Sequence, residues 1–405
     1  MRALLTPGAA TIIASLLAVP AIAQTQTSSN PDPVESAVVR LGPVGINPSL
    51  AVRDIGVDNN VFHESENPKS DFTFTVTPKA EVLFSPRRVR LTFSTAVDYV
   101  YFETYDSERG TNQTSEIKAN LDFGRLQPFV SMSGANTRER YNSEVDARAR
   151  HQDRTYSGGA SLKIASRTTL SGTVRRTTTD FEEGSVFRGE DLAVAFNNRL
   201  DGVDGSLGMQ LTPFTSISLV VSQEWQRFDL APERDSDTMR ITPTLTFSPG
   251  GLLNGSAAIG YRRFDGRSAE LPDYSGLVAV VNVGVTILGR HRLDTSFARD
   301  VRYSYEETTP YYLSTGGTAT LTTQVSGPFD VRVTGTHQVL DYSQSNSGTP
   351  DDTYTSYGAG VGYKIRERLR VGLNFERAHR DSEVGTDRAF RNNRVFATLT
   401  WGTPQ

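Results

Sequence analysis

The side chains that could perform covalent or metal chemistry are few and scattered in this 405-residue chain. The chain has no cysteine, which excludes disulfides, thiol nucleophiles and cysteine-based metal sites. No His-Glu-x-x-His motif and no Gly-x-Ser-x-Gly nucleophile elbow is present, and the five histidines are far apart: His63, His151, His291, His337 and His379. We therefore predict no catalytic residue, no cofactor, no metal and no enzymatic activity. His337 lies next to Thr336 in a predicted strand and could serve a hydrolase embedded in a β-barrel. This enzyme is kept as an alternative function.

A different chemistry is indicated by charged residues that alternate with apolar ones. In residues 89–99, Arg90 and Asp98 fall on the face opposite to Leu91, Phe93 and Val97. Charges of mixed sign on the inner face of a barrel would line a hydrated lumen and could set its selectivity. The alternative is a solvated wall braced by arginine–carboxylate pairs. The predicted lumen-lining residues are Arg90, Asp98, Glu116, Lys118, Asp122, Arg240, Asp294, Arg332, Arg370 and Glu376.

The elements that position these residues are β-strands, because the alternation has a period of two. Eight short turns rich in Gly, Pro and Ser recur along the chain, as at 85–88, 166–167 and 366–368, and nine longer polar segments lie between them. Nine and eight give 17 connections and hence 18 strands over residues 44–401. The segment 190–212 is the hardest to assign, since Asp201-Gly202 and Asp204-Gly205 could each form a turn.

The strand length favours a membrane barrel over a soluble β-protein. A repeat of roughly 40 residues also fits a propeller blade, but a blade has four short strands. Here each period contains two alternating segments of roughly 9–13 residues, and a membrane-spanning strand needs about 9–11. A secreted sandwich is the other alternative. We predict an all-β fold: a transmembrane outer-membrane β-barrel of about 18 antiparallel strands with short periplasmic turns and long external loops.

Aromatic residues support the same interpretation. Tyrosines cluster near the long loops and several phenylalanines near the short turns, which predicts two aromatic girdles at the membrane interfaces. The tyrosines used are Tyr99, Tyr101, Tyr105, Tyr141, Tyr156, Tyr261, Tyr303, Tyr305, Tyr354 and Tyr357, and the phenylalanines are Phe84, Phe123, Phe129, Phe214, Phe247 and Phe329. The last strand ends in Trp401, similar to the C-terminal signal that outer-membrane assembly machinery reads, although four residues follow it.

Targeting and charge complete the domain prediction. Residues 1–23 have the pattern of a signal peptide, with Arg2, an apolar segment and Ala21-Ile22-Ala23. Residues 24–43 are predicted as a flexible periplasmic leader, 44–401 as the barrel and 402–405 as a C-terminal tail. The net charge of −4 argues against nucleic acid as a partner. The expected location is the outer membrane of a Gram-negative bacterium, and the expected partners are outer-membrane lipid and the assembly machinery.

The first strand and loop carry a family resemblance. The segment from Gly45-Ile46-Asn47-Pro48 to Asp58-Asn59-Asn60-Val61-Phe62, followed by Thr77-Pro78, resembles the β-barrel porin family that is associated with bacterial exopolysaccharide gene clusters. The resemblance implies an outer-membrane barrel that takes part in surface-polysaccharide export or in passive solute permeation. Polysaccharide and export-complex proteins are the further partners that it implies.

Besides the hydrolase, two functional classes remain open from the sequence. One is a conducting porin, and the other is a non-conducting structural or docking barrel of a secretion apparatus. Three loop features each have two interpretations. Asp58-Asn59-Asn60 could be a calcium site or a turn, and the external tyrosines could be stacking platforms for sugars or part of a girdle. The loop acids could be ligands of divalent ions or solvated charge. These acids are Glu182-Glu183, Glu306-Glu307 and Asp351-Asp352.

Overall fold

The alternating segments form one antiparallel β-sheet that closes on itself. A computed structural model describes residues 34–248, 251–342, 351–383 and 386–402. The predicted signal peptide lies outside the described residues, as do the first ten residues of the leader and the last three of the tail. The strands are β1 Val39–Leu41, β2 Val44–Asp58, β3 Asp71–Phe84, β4 Val89–Phe102, β5 Gly110–Leu121, β6 Leu126–Arg140, β7 Arg148–Ala165, β8 Thr168–Phe181, β9 Val186–Phe187, β10 Glu190–Asp191, β11 Asn198–Thr212, β12 Thr215–Phe228, β13 Ser236–Phe247, β14 Leu253–Gly266, β15 Tyr274–Ile287, β16 His291–Tyr303, β17 Tyr311–Ser326, β18 Phe329–Asp341, β19 Asp351–Arg366, β20 Leu369–Ser382 and β21 Phe390–Trp401.

Eighteen of these strands, β2–β8 and β11–β21, form the closed barrel that the sequence predicts. Each pairs with its neighbours in chain order, and β2 pairs with β21 from Leu50↔Trp401 to Asp58↔Arg394 to complete the circle. Segment 190–212 contributes one barrel strand, β11. Gly202 and Gly205 pair along it with Arg175 and Gly172 of β8 and are not turn residues. The 18-strand prediction is therefore confirmed.

The barrel has two unlike ends. Strands such as β7 and β8 join through two residues, which defines the short-turn end. Gly124 (φ 79°) and Gly327 (φ 51°) allow tight turns there, because glycine adopts positive φ without a steric penalty. Connections at the other end are longer, for example residues 59–70 and 304–310, and define the long-loop end. One contains the short helix α1, Leu192–Phe196, whose N-cap Asp191 accepts a hydrogen bond from the Ala193 N–H at 2.8 Å.

The outer surface of the barrel is apolar. Large side chains such as Val130, Leu207 and Ile259 lie on it, and about half of each is exposed. Their sequence neighbours point inward, so one face of each strand is apolar and the other is polar, as in strands that span a bilayer. Among the described residues, no helix is long and apolar enough to cross a membrane.

The described part of the predicted leader, residues 34–43, packs on the barrel wall. Strand β1 pairs with the start of β2, and Val34 and Ala37 are buried against Gly45. A Cβ at Gly45 would come within 2.7 Å of the Ala37 Cβ, so only glycine permits this approach. Asn47 fixes the segment by accepting from the Val38 N–H at 3.0 Å.

Candidate functional site: the lumen wall and its cap

The inward face carries the charges singled out in the sequence. Nine of the ten predicted lumen-lining residues lie in strands at positions that alternate with outward side chains: Arg90, Asp98, Glu116, Lys118, Arg240, Asp294, Arg332, Arg370 and Glu376. Asp122 differs, because it lies one residue past β5 and its carboxylate accepts the Gly124 N–H at 2.8 Å within the turn. That these ten residues select a solute remains a prediction.

The strongest concentration of inward charge comes from six strands between β8 and β16, and we call it the paired belt: Arg175, Asp204, Glu224, Arg240, Arg262 and Asp300. Arg175 of β8 bonds to Asp204 of β11 and Glu224 of β12. Asp300 of β16 forms ion pairs with Arg240 at 2.7 Å and with Arg262 at 2.6 Å. With three arginines and three carboxylates the belt has no net charge, as a desolvated set of ions requires.

Other inward charges are paired in the same way. Arg370 makes a bidentate pair with Asp330, at 2.9 and 2.5 Å, which is the strongest arginine–carboxylate geometry. Arg53 lies 2.7 Å from Asp98, a predicted lumen residue. These pairs fit the bracing alternative stated for the lumen charges.

Hydroxyl pairs fill much of the wall between the charges. Ser131 lies 2.6 Å from Ser157 and Thr318 lies 2.9 Å from Thr336, each pair joining neighbouring strands. A hydroxyl both donates and accepts, so such pairs are self-satisfied and keep the inner face polar without adding charge.

The long loops fold together into a structure that we call the cap, formed by residues 59–70, 141–147, 182–197, 304–310 and 386–389. Arg188 and Asp387 form an ion pair within it. Arg188 follows the seventh barrel strand and Asp387 the seventeenth, so these loops leave almost opposite sides of the barrel. Their contact crosses the mouth.

The interior of the cap is apolar and aromatic. Val145, Leu192, Phe196 and Tyr305 are almost fully buried in one cluster with Phe181 at the end of β8. Tyr303 and Tyr141 pack against this cluster. For these three tyrosines the girdle and sugar-platform interpretations are therefore wrong: they serve the interior of the cap, whereas Tyr99, Tyr156, Tyr261 and Tyr357 do lie exposed on the outer surface.

Phe129 also departs from the predicted girdle. It alternates with the exposed Val130 and faces inward, where its ring lies 5.4 Å from the Lys118 ammonium. Phe123, Phe214 and Phe329 are exposed near the short turns as predicted.

Glu144 lies at the centre of the cap and is almost completely buried. Its carboxylate accepts from the Ser304 hydroxyl at 2.7 Å, the Tyr342 hydroxyl at 3.0 Å and the Tyr305 N–H at 3.2 Å. Burial raises the pKa of Glu144 to about 7, against the opposing effect of these donors and of Arg388. When Glu144 is ionised, the cap therefore contains a carboxylate that is hydrogen-bonded but has no directly bonded cation among the described residues.

A second titratable group in the cap joins two loops. The His63 Nδ1 lies 2.8 Å from Asp146, and its ring stacks on Phe390 at 4.0 Å between centroids. Burial, with Arg140 nearby, lowers the pKa of His63. Burial would raise the pKa of Asp146, but Arg140 and His63 hold it at about 2.

The remaining loop features have ordinary structural roles. The Asp58 carboxylate accepts the Asn60 N–H at 2.9 Å, which is an Asx turn. No group of metal-ligating side chains is present in the part of the chain that the structure describes. Asp352, one of the predicted loop acids, is completely buried and paired with Arg380, so its interpretation as solvated charge is wrong.

His337, the residue behind the hydrolase alternative, lies on the outer face of β18. Its Nδ1 is 3.0 Å from the Thr355 hydroxyl. No carboxylate bonds to it among the described side chains, so the arrangement lacks the third group that orients a catalytic histidine.

These features define a class of protein: a closed 18-stranded antiparallel barrel with an apolar exterior, a polar charged interior and long loops at one end. The chain matches the family described as "Putative beta-barrel porin 2" over residues 32–402 and belongs to it. The resemblance seen in the first strands is thereby confirmed.

The chain is also similar to solved structures. The Pseudomonas aeruginosa protein OccK2 (OpdF) is similar with a TM-score of 0.51 and 12% identity, over 88% of this chain and 97% of that one. The P. aeruginosa outer membrane protein OpdK gives 0.48 and 9%, over 88% and 98%. The FrpB iron transporter of Neisseria meningitidis gives 0.44 and 10%, over 83% of this chain, which spans only 62% of that protein. No curated protein matches the chain.

Proposed function

We propose that this protein is an outer-membrane channel through which solutes or a surface polysaccharide pass by diffusion along the lumen. The observation that carries the proposal is the closed wall, apolar outside and polar inside, because such a wall can stand in lipid while its interior holds water. The short turns then face the periplasm and the long loops the exterior, as in other barrels of this kind.

The partners follow from the same location. Outer-membrane lipid contacts the apolar exterior, and the assembly machinery inserts the barrel. The link with polysaccharide export rests on the resemblance of the first strands. It is tested by deleting the gene and measuring surface-bound and released polysaccharide, with complementation by the wild-type gene.

A docking barrel that conducts nothing is the second candidate, and the cap favours it. Contacts such as Arg188–Asp387 cross the long-loop mouth, and Arg140 donates to the Val61 carbonyl of another loop at 3.0 Å. If the cap stays closed, the lumen is a blind cavity whose wall only supports neighbouring export proteins.

Planar-bilayer recording separates the two candidates. We expect open steps from the wild-type protein, and more frequent openings from the variant R188A/R388A, because both arginines link different loops. R109A is the matched control. Among the described residues Arg109 donates to the Phe102 and Glu103 carbonyls and stacks on Tyr101, all beside its own loop, so its loss should leave gating unchanged. Folded protein that never opens, even as R188A/R388A, would establish the docking barrel.

A further inference from the structure

We propose that the short-turn mouth binds an anionic polymer chain, of the class of uronate-containing polysaccharides, through two rows of cations on one side of its rim. This inference rests on the proposed channel, whose cargo it defines by charge. It does not depend on the residues of the paired belt or of the cap.

The inner row consists of lysines that point into the lumen near the short turns: Lys79, Lys118, Lys163 and Lys364. They are four of the five lysines in the chain. Their neighbours Ile117, Ile164 and Ile365 are about half exposed on the outer surface, so the lysines of the same strands face inward. None of the four forms an ion pair with any described residue.

The outer row consists of exposed arginines on the turns that follow or precede the same strands: Arg87, Arg125, Arg167 and Arg366. None of them forms an ion pair within the described ranges. We call the two rows together the cationic arc. Charges of this kind keep their hydration and are available to a ligand, unlike a buried ion, which requires a partner.

The arc covers one side of the rim. It runs from the β19–β20 turn past β21 and β2 to the β7–β8 turn, whereas the turn at Pro213-Phe214 and the turn at Gly327-Pro328 have no cation. Arg290 stands apart on that other side, 3.2 Å from His291. An arc, rather than an even ring, fits a chain that enters along one wall.

Few carboxylates oppose the arc. Those on the same strand ends and turns are Glu81, Glu116, Asp122 and Glu367. Glu81 accepts the Asn47 amide at 2.9 Å, and Asp122 is bonded within its own turn. The short-turn end of this wall therefore has a local excess of positive charge, although the whole chain has a net charge of −4.

The spacing of the rows favours a polymer over a small anion. Partner residues are separated by 366 − 364 = 2 positions at the closest and 87 − 79 = 8 at the farthest. At about 3.3 Å per residue, these separations correspond to roughly 7 Å and 26 Å along the wall. A single carboxylate reaches one row, whereas a chain with repeated carboxylates reaches both. Lipid head groups reach the turn arginines but not lysines that face the lumen.

The two ends of the barrel differ in the sign of their exposed charge, which fits transport of an anionic chain towards the long loops. Exposed acids such as Glu182, Glu183 and Glu307 lie at the long-loop end. A cationic entrance raises the local concentration of an anionic chain, and an acidic exit disfavours its retention.

The test measures binding of fluorescent decagalacturonate to the detergent-solubilised full chain, with maltodecaose as the uncharged match. We expect the wild-type protein to bind decagalacturonate with an affinity that falls as salt rises, and not to bind maltodecaose. The variant K79Q/K118Q/K163Q/K364Q should lose at least tenfold in affinity. K69Q is the matched control, because Lys69 lies in a long loop beside Glu64, and it should bind like the wild type.

Several results would overturn the proposal: no binding by the wild type, equal binding by the quadruple variant, or equal binding of maltodecaose. Phosphatidylglycerol vesicles form a further arm. If they bind in a manner that depends on the turn arginines while decagalacturonate does not bind, the arc is a lipid contact and the proposal is wrong. Heat-modifiable gel migration verifies that each variant is folded. The single variant K163Q should lose less affinity for decagalacturonate than the quadruple variant.

Binding in detergent requires no conduction, so the two proposals fail separately. If the protein binds decagalacturonate but never opens in a bilayer, the proposed anionic ligand stands and the proposed channel is wrong. If it conducts but does not bind decagalacturonate, the proposed channel stands and the proposed anionic cargo is wrong.

Discussion

The paired belt and the inner row of the cationic arc both place cations on the inner face of the barrel, yet the two regions differ in their contacts. In the belt, Asp300 and Glu224 each join two arginines, and most members are buried. In the arc, the lysines are half-buried and the turn arginines are exposed, without ion pairs among the described residues. Pairing thus separates charges that hold the wall together from charges that are free to meet a solute. Burial decides which of the two a side chain becomes, since only a desolvated ion needs a permanent partner.

The largest expected effect is on the belt. Replacing Asp300 by Asn leaves Arg262 without an ion partner among the described residues and leaves Arg240 with Glu224 alone, at 3.4 Å. Because removing one partner of a buried ion pair strands the other, we expect the free energy of unfolding to fall by about 3–5 kcal/mol. Urea unfolding in detergent micelles measures it. A loss below about 1 kcal/mol, the range of exposed pairs, would show that the belt is solvated and is not distinct from the arc.

The next effect concerns Glu144, a buried acid that is unlike those of the belt because no cation bonds to it directly. Its folded pKa of about 7 lies above the 4.5 that is usual for a glutamate. The folded cap therefore holds a proton that the unfolded chain has released, and stability falls as pH rises from about 4.5 to 7, by roughly 3 kcal/mol in total. Acid should tighten the cap and reduce conductance.

The variant E144Q isolates this effect from that of His63. The pKa of His63 is lowered, so its contribution to stability increases as pH rises towards 6.5 and opposes that of Glu144. We expect E144Q to lose the component of the pH dependence that destabilises the wild type as pH rises from about 4.5 to 7. Wild type and variant with the same pH profile of unfolding would exclude Glu144 as its source.

A smaller effect concerns ion selectivity. Neutralising the arc as K79Q/K118Q/K163Q/K364Q should shift the reversal potential in a salt gradient towards cations, with a change in the permeability ratio of about two- to fivefold. The arc lies at one mouth, so the shift should diminish at high salt, where exposed charges are screened. A belt variant that conserves charge, R240K, supplies the comparison and should leave selectivity unchanged.

The smallest effect is that of single arc substitutions on stability. K163Q removes a half-exposed charge that has no ion partner in the described structure, so the free energy of unfolding should change by no more than about 0.5 kcal/mol. The same urea titration measures it. A loss comparable to that of D300N would place Lys163 in the bracing network and remove the distinction between the two regions.

The sequence was sufficient for the wall because the wall depends on a local rule. Alternation with period two determines which residues of a strand share a face, so the inward positions of Arg240 and Arg370 followed directly. The ambiguous Asp-Gly pairs of β11 were resolved by pairing, since Gly202 lies opposite Arg175 in the neighbouring strand. Asp122 shows the limit of the rule, because parity does not apply once the strand ends.

The cap could not be predicted in this way. Glu144 and Tyr305 are 161 positions apart and meet because two loops fold across one mouth. No periodic pattern encodes such a contact, and the tyrosines near the loops gave the same signal whether they faced lipid or packed into the cap. Which arginines are paired was equally inaccessible, since pairing depends on side chains from strands that are distant in sequence, as with Arg175 and Glu224.

The ladder between β2 and β21 has a consequence for biogenesis. Arg394 and Asp54, which meet across it, are 340 residues apart, and the register shifts between Val52 and Ile55. Until the last strand has been synthesised, β2 and every intermediate edge expose unpaired backbone groups that would template aggregation. Closing so long a loop is also entropically unfavourable. The nascent polypeptide must therefore be kept from collapsing until its final residues arrive.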